Sequence, residues 1–100
     1  MSSMRKCSAK ELKILGDFWN LAIIQELADG EKRFSQLERI IPEINPTTLT
    51  NRLKKLEQQD LIKREEEKVN KLSVIYTLTD KGEGILPILK QIRAFADKFL

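Results

Sequence analysis

The apolar positions of this chain recur mostly at intervals of three and four residues, which is the spacing of an amphipathic helix. A first helical region is predicted from 10 to 27, and one face of it is lined by Leu12, Leu15, Trp19, Ile23 and Leu27. Gly16 weakens a helix and Asp17 can cap one, so these two residues predict a break into two helices. Gly30 is the predicted stop beyond the second helix.

Two further helices are predicted on either side of a proline-bearing turn. Ser35 is the predicted N-cap of the first, with Glu38 completing a capping box, and Pro42 ends this helix. Its buried stripe consists of Leu37, Ile40 and Ile41. Asn45 is the predicted N-cap of the second helix, and Pro46 suits its first position, where the missing N–H costs nothing. The buried stripe of this second helix consists of Leu49, Leu53 and Leu56.

A β-hairpin is predicted after these helices. Leu61 and Ile62 open one strand, and residues 73–79 form another. One face of the second strand carries Val74, Tyr76 and Leu78. The polar stretch from Glu65 to Lys71 joins the two strands as a turn.

A last helix is predicted from Asp80, with Asp80 and Glu83 as its capping pair and Pro87 accommodated near its start or bending it. Its apolar residues are Ile85, Leu86, Ile88, Leu89, Ile92, Phe95, Ala96 and Phe99. A helix on a small domain needs roughly one face buried, so the excess from Ile88 to Phe99 would be exposed on a monomer. A two-fold dimer would cover it. The alternative is that the long first helix covers both faces within one chain.

The order helix, helix, helix, hairpin, helix is that of a winged helix-turn-helix. The predicted fold class is mainly α with a small β-hairpin (α+β), with a three-helix core, a two-stranded wing and a C-terminal dimerisation helix. We expect one domain over 1–100, divided into an N-terminal arm at 1–8, the helix-turn-helix at 34–58, the wing hairpin at 61–79 and the dimerisation helix at 80–100. In this fold the second helix of the motif enters the major groove of DNA.

The face of helix 46–58 opposite its leucines suits such a groove. It carries Thr47, Asn51, Lys54 and Lys55, with Thr48 at its edge. Asparagine can pair with adenine, threonine can contact thymine, and lysine reaches guanine or phosphate. The alternative is an ordinary solvated helix, but no carboxylate lies on this face, since Glu57 sits on the flank. Arg52 lies nearer the buried edge, where it would clamp a phosphate or the domain's own surface.

Contacts to DNA phosphates are predicted at the hairpin and at the start of the first helix of the helix-turn-helix, which precedes helix 46–58. The residues are Lys63, Arg64 and Lys71 in the hairpin, and Ser35 and Gln36 in the helix. The glutamates at 65–67 stand among the basic residues and would repel phosphates unless they face away or pair with neighbouring lysines. A short solvated hairpin without DNA contacts is therefore an equal alternative.

The composition narrows the class of protein. The 100 residues carry a net charge of +3, which permits a nucleic-acid partner without requiring one. With no histidine and one cysteine, Cys7, the chain cannot form a histidine-dependent active site, an intrachain disulfide or a cluster of soft metal ligands. No enzymatic activity, cofactor or metal is expected. No apolar run is long enough for a signal peptide or a membrane span, which predicts a cytoplasmic protein.

Short motifs along nearly the whole chain resemble the HxlR-type branch of the MarR-like winged-helix transcription regulators. The motifs are LGDFW at 15–19, LADG at 27–30, RFSQL at 33–37, IPEIN at 41–45, LTNRL at 49–53, LE at 56–57, DLI at 60–62, YTLT at 76–79 and KG at 81–82. No single motif is diagnostic, but the ordered set is fairly specific.

The resemblance implies a homodimer built from the N-terminal segment and the last helix. It also places a cysteine ahead of the first long helix, which in some members senses oxidants or electrophiles, and Cys7 occupies roughly that place. Arg5 and Lys6 beside it would favour the reactive thiolate. The alternative is a single unpaired thiol with no role, which is common in cytosolic proteins. The chain departs from the family in its wing, where Leu72 and the glutamates replace a proline-containing stretch, and it lacks the proline that often follows the family cysteine.

The sequence therefore favours a dimeric, sequence-specific regulator that binds a pseudo-palindromic site in double-stranded DNA, with no membrane partner. The alternative is a winged-helix module that binds another protein, which the acidic hairpin favours. The operator sequence, repression or activation, and any small-molecule effector stay open.

Overall fold

The computed structural model describes residues 5–67 and 73–100, which form helices around a three-stranded antiparallel sheet. The elements are α1 (Ala9–Leu15), α2 (Phe18–Leu27), β1 (Lys32–Arg33), α3 (Phe34–Ile40), α4 (Pro46–Gln58), β2 (Ile62–Glu66), β3 (Val74–Leu78), α5 (Asp80–Glu83) and α6 (Leu86–Phe99). The predicted fold class, a mainly α winged helix-turn-helix, is confirmed.

The N-terminal region breaks into two helices where the sequence predicted. Asp17 caps α2, because its Oδ1 accepts a hydrogen bond from the backbone N–H of Asn20 at 2.9 Å. Gly30, with φ of 127°, lies in the left-handed region just beyond α2. The predicted apolar face is only partly buried. Leu12 and Leu15 are exposed, and α1 contributes no buried residue to the core.

The start of α3 differs from the prediction. Arg33 is the N-cap and Phe34 the first helical residue, so Ser35 does not cap the helix and Glu38 does not complete a capping box. Gln36 takes the place predicted for Glu38 in the capping box, since the Gln36 Oε1 accepts from the backbone N–H of Arg33 at 2.8 Å. The physical reason is that β1 holds the chain extended up to Arg33, and the helix can begin only after the sheet pairing ends.

The sheet has one strand more than the predicted two-stranded wing, in the order β1-β3-β2. Lys32 of β1 lies opposite Tyr76 of β3, and β3 pairs with β2 on its other side. A two-residue strand is too short to show alternation in the sequence. β2 extends to Glu66, so the turn predicted from Glu65 begins too early. Residues 68–72 of that predicted turn lie outside the described residues.

Two helices, α5 and α6, replace the single helix predicted from Asp80. Thr79 rather than Asp80 is the N-cap of α5, because the Thr79 Oγ1 accepts from the backbone N–H of Gly82 at 3.0 Å. Thr79 directly follows β3, so its hydroxyl already lies where it can accept from the first turn of α5, and the helix begins at Asp80. Pro87 lies in the first turn of α6, where its missing N–H needs no partner.

The core lies between α2, α3, α4 and the sheet. Its buried apolar residues are Ile23, Ile24, Leu27, Leu37, Ile41, Ile44, Leu49, Leu53, Leu56, Leu61, Ile62, Tyr76 and Ile85. The leucine stripe of α4 is thus confirmed, whereas Ile40 of the predicted α3 stripe is 40 % exposed. No residue of α6 is fully buried. Within the described residues, no helix is long and apolar enough to cross a bilayer.

Candidate nucleic-acid interface

The start and the rotation of α4 are both determined locally. The Asn45 Oδ1 accepts from the backbone N–H of Thr48 at 2.8 Å, and Pro46 occupies the first turn, as predicted. Leu49, Leu53 and Leu56 are each at most 2 % exposed, in the core that α4 shares with α2 and β2. Because these leucines hold one side of the helix inside, the opposite side must face solvent.

That opposite side carries a polar stripe made of Thr47, Asn51 and Lys54, and all three residues are exposed. Successive helical residues turn by about 100° around the axis, so these three side chains project in nearly the same direction. They offer a hydroxyl, an amide and an ammonium group side by side. Among the ion pairs of the described residues, none involves Lys54, so its charge is available to an external anion.

Arg52 and Lys55 lie on a different flank of α4, toward α1. The Arg52 Nε donates to the Asp17 Oδ1 at 3.1 Å, in an ion pair whose side chains are about one quarter exposed. Of the two roles predicted for Arg52, the structure shows the clamp on the domain's own surface. Lys55 lines a cavity together with α1. Thr48 is half-buried on the same flank.

Asp17 joins the cap of α2 to α4. Burial raises the pKa of the Asp17 carboxyl, but the hydrogen bonds from Arg52 and from the backbone of Asn20 outweigh burial, so this pKa lies below its ordinary value. The carboxylate is therefore charged at neutral pH, and the ion pair to Arg52 is intact there.

The acidic side chains of the wing are mostly paired. Glu67 accepts from Arg33, with N···O distances of 2.8 Å, and Glu65 lies 2.9 Å from the Lys63 ammonium. The hydrogen bond and the charge of Glu65 raise the pKa of Lys63. Two of the three glutamates thus have basic partners. Glu65 pairs with a neighbouring lysine, as the sequence predicted for a wing that approaches phosphates, whereas Glu67 pairs with the distant Arg33.

The remaining predicted contacts are more scattered. Arg64 is exposed on β2, and Lys71 lies outside the described residues. Ser35 is exposed in the first turn of α3, whereas Gln36 is half-buried and spends its amide oxygen on Arg33. The structure therefore brings Thr47, Asn51 and Lys54 together on α4. Of the other predicted contacts, Ser35 and Gln36 lie on α3 and Arg64 lies on β2.

Cys7 is exposed and directly precedes the N-cap of α1. Arg5 pairs with Glu11, with an N···O distance of 3.0 Å. Lys6 remains as the neighbouring cation named in the sequence. Across the described part of the chain, no group of three potential metal ligands is found.

Sequence reasoning missed the two longest-range ion pairs of this region. Arg52 pairs with Asp17 across 35 residues, and Arg33 pairs with Glu67 across 34 residues. Neither spacing follows a helical or strand period, so one sequence holds no signal for them.

Comparison with known proteins gives the family. A family model described as HxlR-like helix-turn-helix matches residues 14–100. The chain belongs to this family. The HTH-type transcriptional regulator YodB of Bacillus subtilis is 41 % identical to this HxlR-like chain over 86 residues, which cover 86 % of the chain and 77 % of YodB.

Solved structures that resemble this chain are also transcription regulators. The reduced form of YodB matches this HxlR-like chain with a TM-score of 0.80 and 37 % identity, over 94 % of this chain and 95 % of that one. YodB has also been solved in diamide-treated and quinone-bound forms. A regulator of the MarR family from Porphyromonas gingivalis W83 has a TM-score of 0.82 and 32 % identity, over 100 % of this chain and 99 % of that one. The oxidized form of the redox regulator HypR has a TM-score of 0.78 and 30 % identity, over 89 % of this chain and 92 % of that one.

The family confirms the resemblance found in the sequence. This HxlR-like chain is a helix-turn-helix, DNA-binding transcription regulator and not an enzyme.

Proposed function

We propose that this chain acts as a homodimer on a pseudo-palindromic site in double-stranded DNA, with α4 of each protomer in a major groove. The observation that carries the proposal is the exposed stripe of Thr47, Asn51 and Lys54, on a helix whose opposite side is locked in the core. A two-fold dimer would set the two helices about 34 Å apart, one turn of DNA. Such a regulator works in the cytoplasm, beside the chromosome.

The roles divide by position. Groove contacts would come from Thr47, Asn51 and Lys54 on the stripe, and from Thr48 and Lys55 on the flank toward α1. Phosphates would be held by Ser35, Gln36, Arg52, Lys63, Arg64 and Lys71. Arg52 can do so only by sharing its guanidinium with Asp17, and Lys63 only by releasing Glu65. The paired wing therefore contributes less to affinity than the stripe on α4.

The test begins with selection of bound duplexes from a random pool, followed by titration of the selected operator. Asn51→Ala should relax base preference at one position, at a cost of about 1–3 kcal/mol in discrimination. Lys63→Ala should weaken all sequences alike. Lys90→Ala, an exposed lysine of α6, is the matched control and should change nothing. Operator affinity that is insensitive to salt, or unchanged in the Asn51→Ala/Lys54→Ala double variant, would contradict the proposal.

The rival function is a winged-helix module that binds another protein. The acidic hairpin favours it less than the sequence suggested, because Glu65 and Glu67 have basic partners. A gel-shift titration with random duplex DNA at low salt separates the two functions. A regulator retains non-specific binding there, whereas a protein-binding module does not.

The dimer is proposed from the exposed face of α6. Ile88, Ile92, Phe95 and Phe99 recur at helical spacing and are 45 to 64 % exposed. These four side chains form an apolar face that a second copy would cover. Phe95→Asp should convert the dimer to a monomer in sedimentation velocity, while Lys90→Asp on the opposite side of α6 should not. A wild-type protein that sediments as a monomer at high concentration would rule the dimer out.

We also propose that Cys7 senses oxidants. The supporting observations are its exposure and the likeness to regulators solved in reduced, oxidized and diamide-treated forms. With one cysteine in the chain, diamide can join Cys7 only to a thiol of another molecule, such as a second copy or a small thiol. In either case two thiols lose two electrons and two protons to diamide. Diamide should change operator affinity of the wild type and leave Cys7→Ser unchanged; equal responses of both would refute the role.

A further inference from the structure

The side chain of Arg33 connects the start of the helix-turn-helix to the far end of the wing hairpin. Its Nε and one of its terminal nitrogens each lie 2.8 Å from the same carboxylate oxygen of Glu67. Hydrogen bonds between two ionised groups are roughly twice as strong as neutral ones. The Glu67 side chain is 22 % exposed, so the pair is partly shielded from solvent.

The pair joins the two outer strands of the sheet across the central strand β3. Arg33 of β1 and Glu65 of β2 lie opposite the same residue of β3, Ile75, one on each side of it. Because side chains alternate along a strand, Glu67 shares a face of the sheet with Glu65 and lies one repeat further along. The Arg33 guanidinium therefore crosses β3 to reach Glu67.

Both partners are also held by their backbones. The N–H of Glu67 donates to the backbone oxygen of Ser73 at 2.9 Å, which continues the hairpin beyond the last residue of β2. Arg33 is the N-cap residue of α3, and its own N–H donates to the Gln36 side chain at 2.8 Å. Any tilt of the hairpin end relative to α3 would pull the two charged groups apart, so their attraction resists that tilt.

The end of the hairpin has few other restraints among the described residues. The last residue pair between β1 and β3 is Arg33 with Ile75, whereas β2 and β3 continue as a two-stranded ribbon to Glu66 and Val74. A two-stranded ribbon is marginally stable by itself and twists more than a wider sheet. Of the ion pairs between described residues, the one from Arg33 to Glu67 alone connects the hairpin to an element outside it.

We propose that Arg33 and Glu67 are positioning residues for DNA binding, whose ion pair fixes the orientation of the wing while neither side chain contacts DNA. This rests on the proposed function, because the orientation matters only if Lys63 and Arg64 of the wing approach phosphates. A wing that is ordered in advance loses less conformational entropy when DNA binds, which raises affinity without a new contact. An acidic residue of the wing thus favours DNA binding.

The direction of one effect separates positioning from repulsion. Glu67→Gln removes a negative charge from the wing, so electrostatics alone predicts tighter DNA binding. Positioning predicts the opposite, and operator affinity should fall about two- to fivefold, as expected from the strength of a partly exposed ion pair. Unchanged or tighter binding by Glu67→Gln overturns the proposal.

Glu66→Gln is the matched control, because Glu66 is an exposed neighbour that takes part in none of the ion pairs between described residues. This variant removes the same charge and should leave operator affinity unchanged or raise it. An equal loss of affinity in Glu66→Gln and Glu67→Gln overturns the proposal, since it would show a general effect of wing charge.

A double variant shows whether Arg33 itself contacts a phosphate. Once residue 67 is neutral, a positioning Arg33 has no charged partner to hold, so Arg33→Gln/Glu67→Gln should bind the operator as tightly as Glu67→Gln. If Arg33 contacted a phosphate, the double variant would bind more weakly, and the slope of log affinity against log salt would become shallower by about 0.9. That result would overturn the positioning role.

The order of the wing is measured on the full chain without DNA, by NMR relaxation of the backbone amides. Order parameters at residues 66 and 67 should fall below the rigid value of about 0.85 in Glu67→Gln and should match the wild type in Glu66→Gln. Equal order parameters in wild type and Glu67→Gln overturn the positioning role, even if DNA affinity changes. A wild-type protein that binds no DNA, although its wing loosens in Glu67→Gln, overturns the proposed function instead, so the two failures are distinguishable.

Discussion

Gly82→Ala is the substitution whose effect the structure predicts most sharply. Gly82 is buried in α5, and a Cβ built there lies 3.0 Å from the carbonyl carbon of Leu61 and overlaps its oxygen. That oxygen is backbone, so it cannot rotate away. It also accepts from the backbone N–H of Thr79 at 3.1 Å, and the N–H of Leu61 donates to Leu56 at the end of α4. A methyl group here must therefore displace the corner between α4 and β2.

The size of the effect follows from three contributions. Inserting a methyl group into a packed site costs about 1–3 kcal/mol, with the upper end expected when backbone must move. Loss of the hydrogen bond from Thr79 adds about 0.5–1.5 kcal/mol. The higher helix propensity of alanine returns up to about 1 kcal/mol. We expect the free energy of unfolding to fall by about 3 kcal/mol, which for 100 residues lowers Tm by about 12–24 °C.

Urea unfolding at one protein concentration measures this change. Gly84→Ala is the matched control, because Gly84 is exposed with φ of −62° and a Cβ there approaches the oxygen of Lys81 no closer than 3.1 Å. Gly84→Ala should stay within about 1 kcal/mol of the wild type. If Gly82→Ala were as stable as Gly84→Ala, the tight approach of α5 to Leu61 would be wrong.

Three further substitutions probe α4 and its anchor. Asn45→Ala removes the cap on the Thr48 N–H and should cost about 1 kcal/mol of unfolding free energy, whereas Asn45→Ser should stay within a few tenths, as read from urea midpoints. Leu53→Ala should cost about 2–5 kcal/mol by the same measurement, since its side chain is 2 % exposed; a loss below about 1 kcal/mol would contradict its burial. Asp17→Asn should destabilise the chain at pH 7. Because the folded-state pKa of Asp17 lies below its unfolded value, this stabilisation is complete above the unfolded pKa and is lost as pH falls through the folded pKa. The difference from wild type in unfolding free energy should therefore shrink on acidification below the ordinary aspartate range; a difference constant with pH would refute the charge-based role.

Features set by near neighbours in the chain were predictable. The break at Asp17, the cap at Asn45 and the leucine stripe of α4 all depend on spacings of three or four residues, which the sequence displays directly. The stripe of Thr47 and Asn51 follows from them, because the side of a helix opposite its buried stripe must be exposed. Whether that stripe contacts DNA stays a prediction.

Errors arose where two local candidates competed. Ser35 and Asp80 are both acceptable N-caps, yet Arg33 and Thr79 hold those positions. In each case the preceding residues belong to a strand, and the point where sheet pairing ends decides where the helix begins. That pairing joins β1 to β3, which lies more than 40 residues further along the chain, so no local spacing predicts it.

The amino-acid order alone thus determined most of the helices, the inward and outward faces of α4, the winged architecture and the regulator class, because each depends on short-range periodicity or on an ordered set of motifs. Only the tertiary structure decided the third strand, the pairing of Arg52 with Asp17, the pairing of Arg33 with Glu67 and the cavity beside α4. These features bring together side chains from elements that are distant in sequence. Their contacts depend on how helices and sheet pack around one core, and packing has no period along the chain.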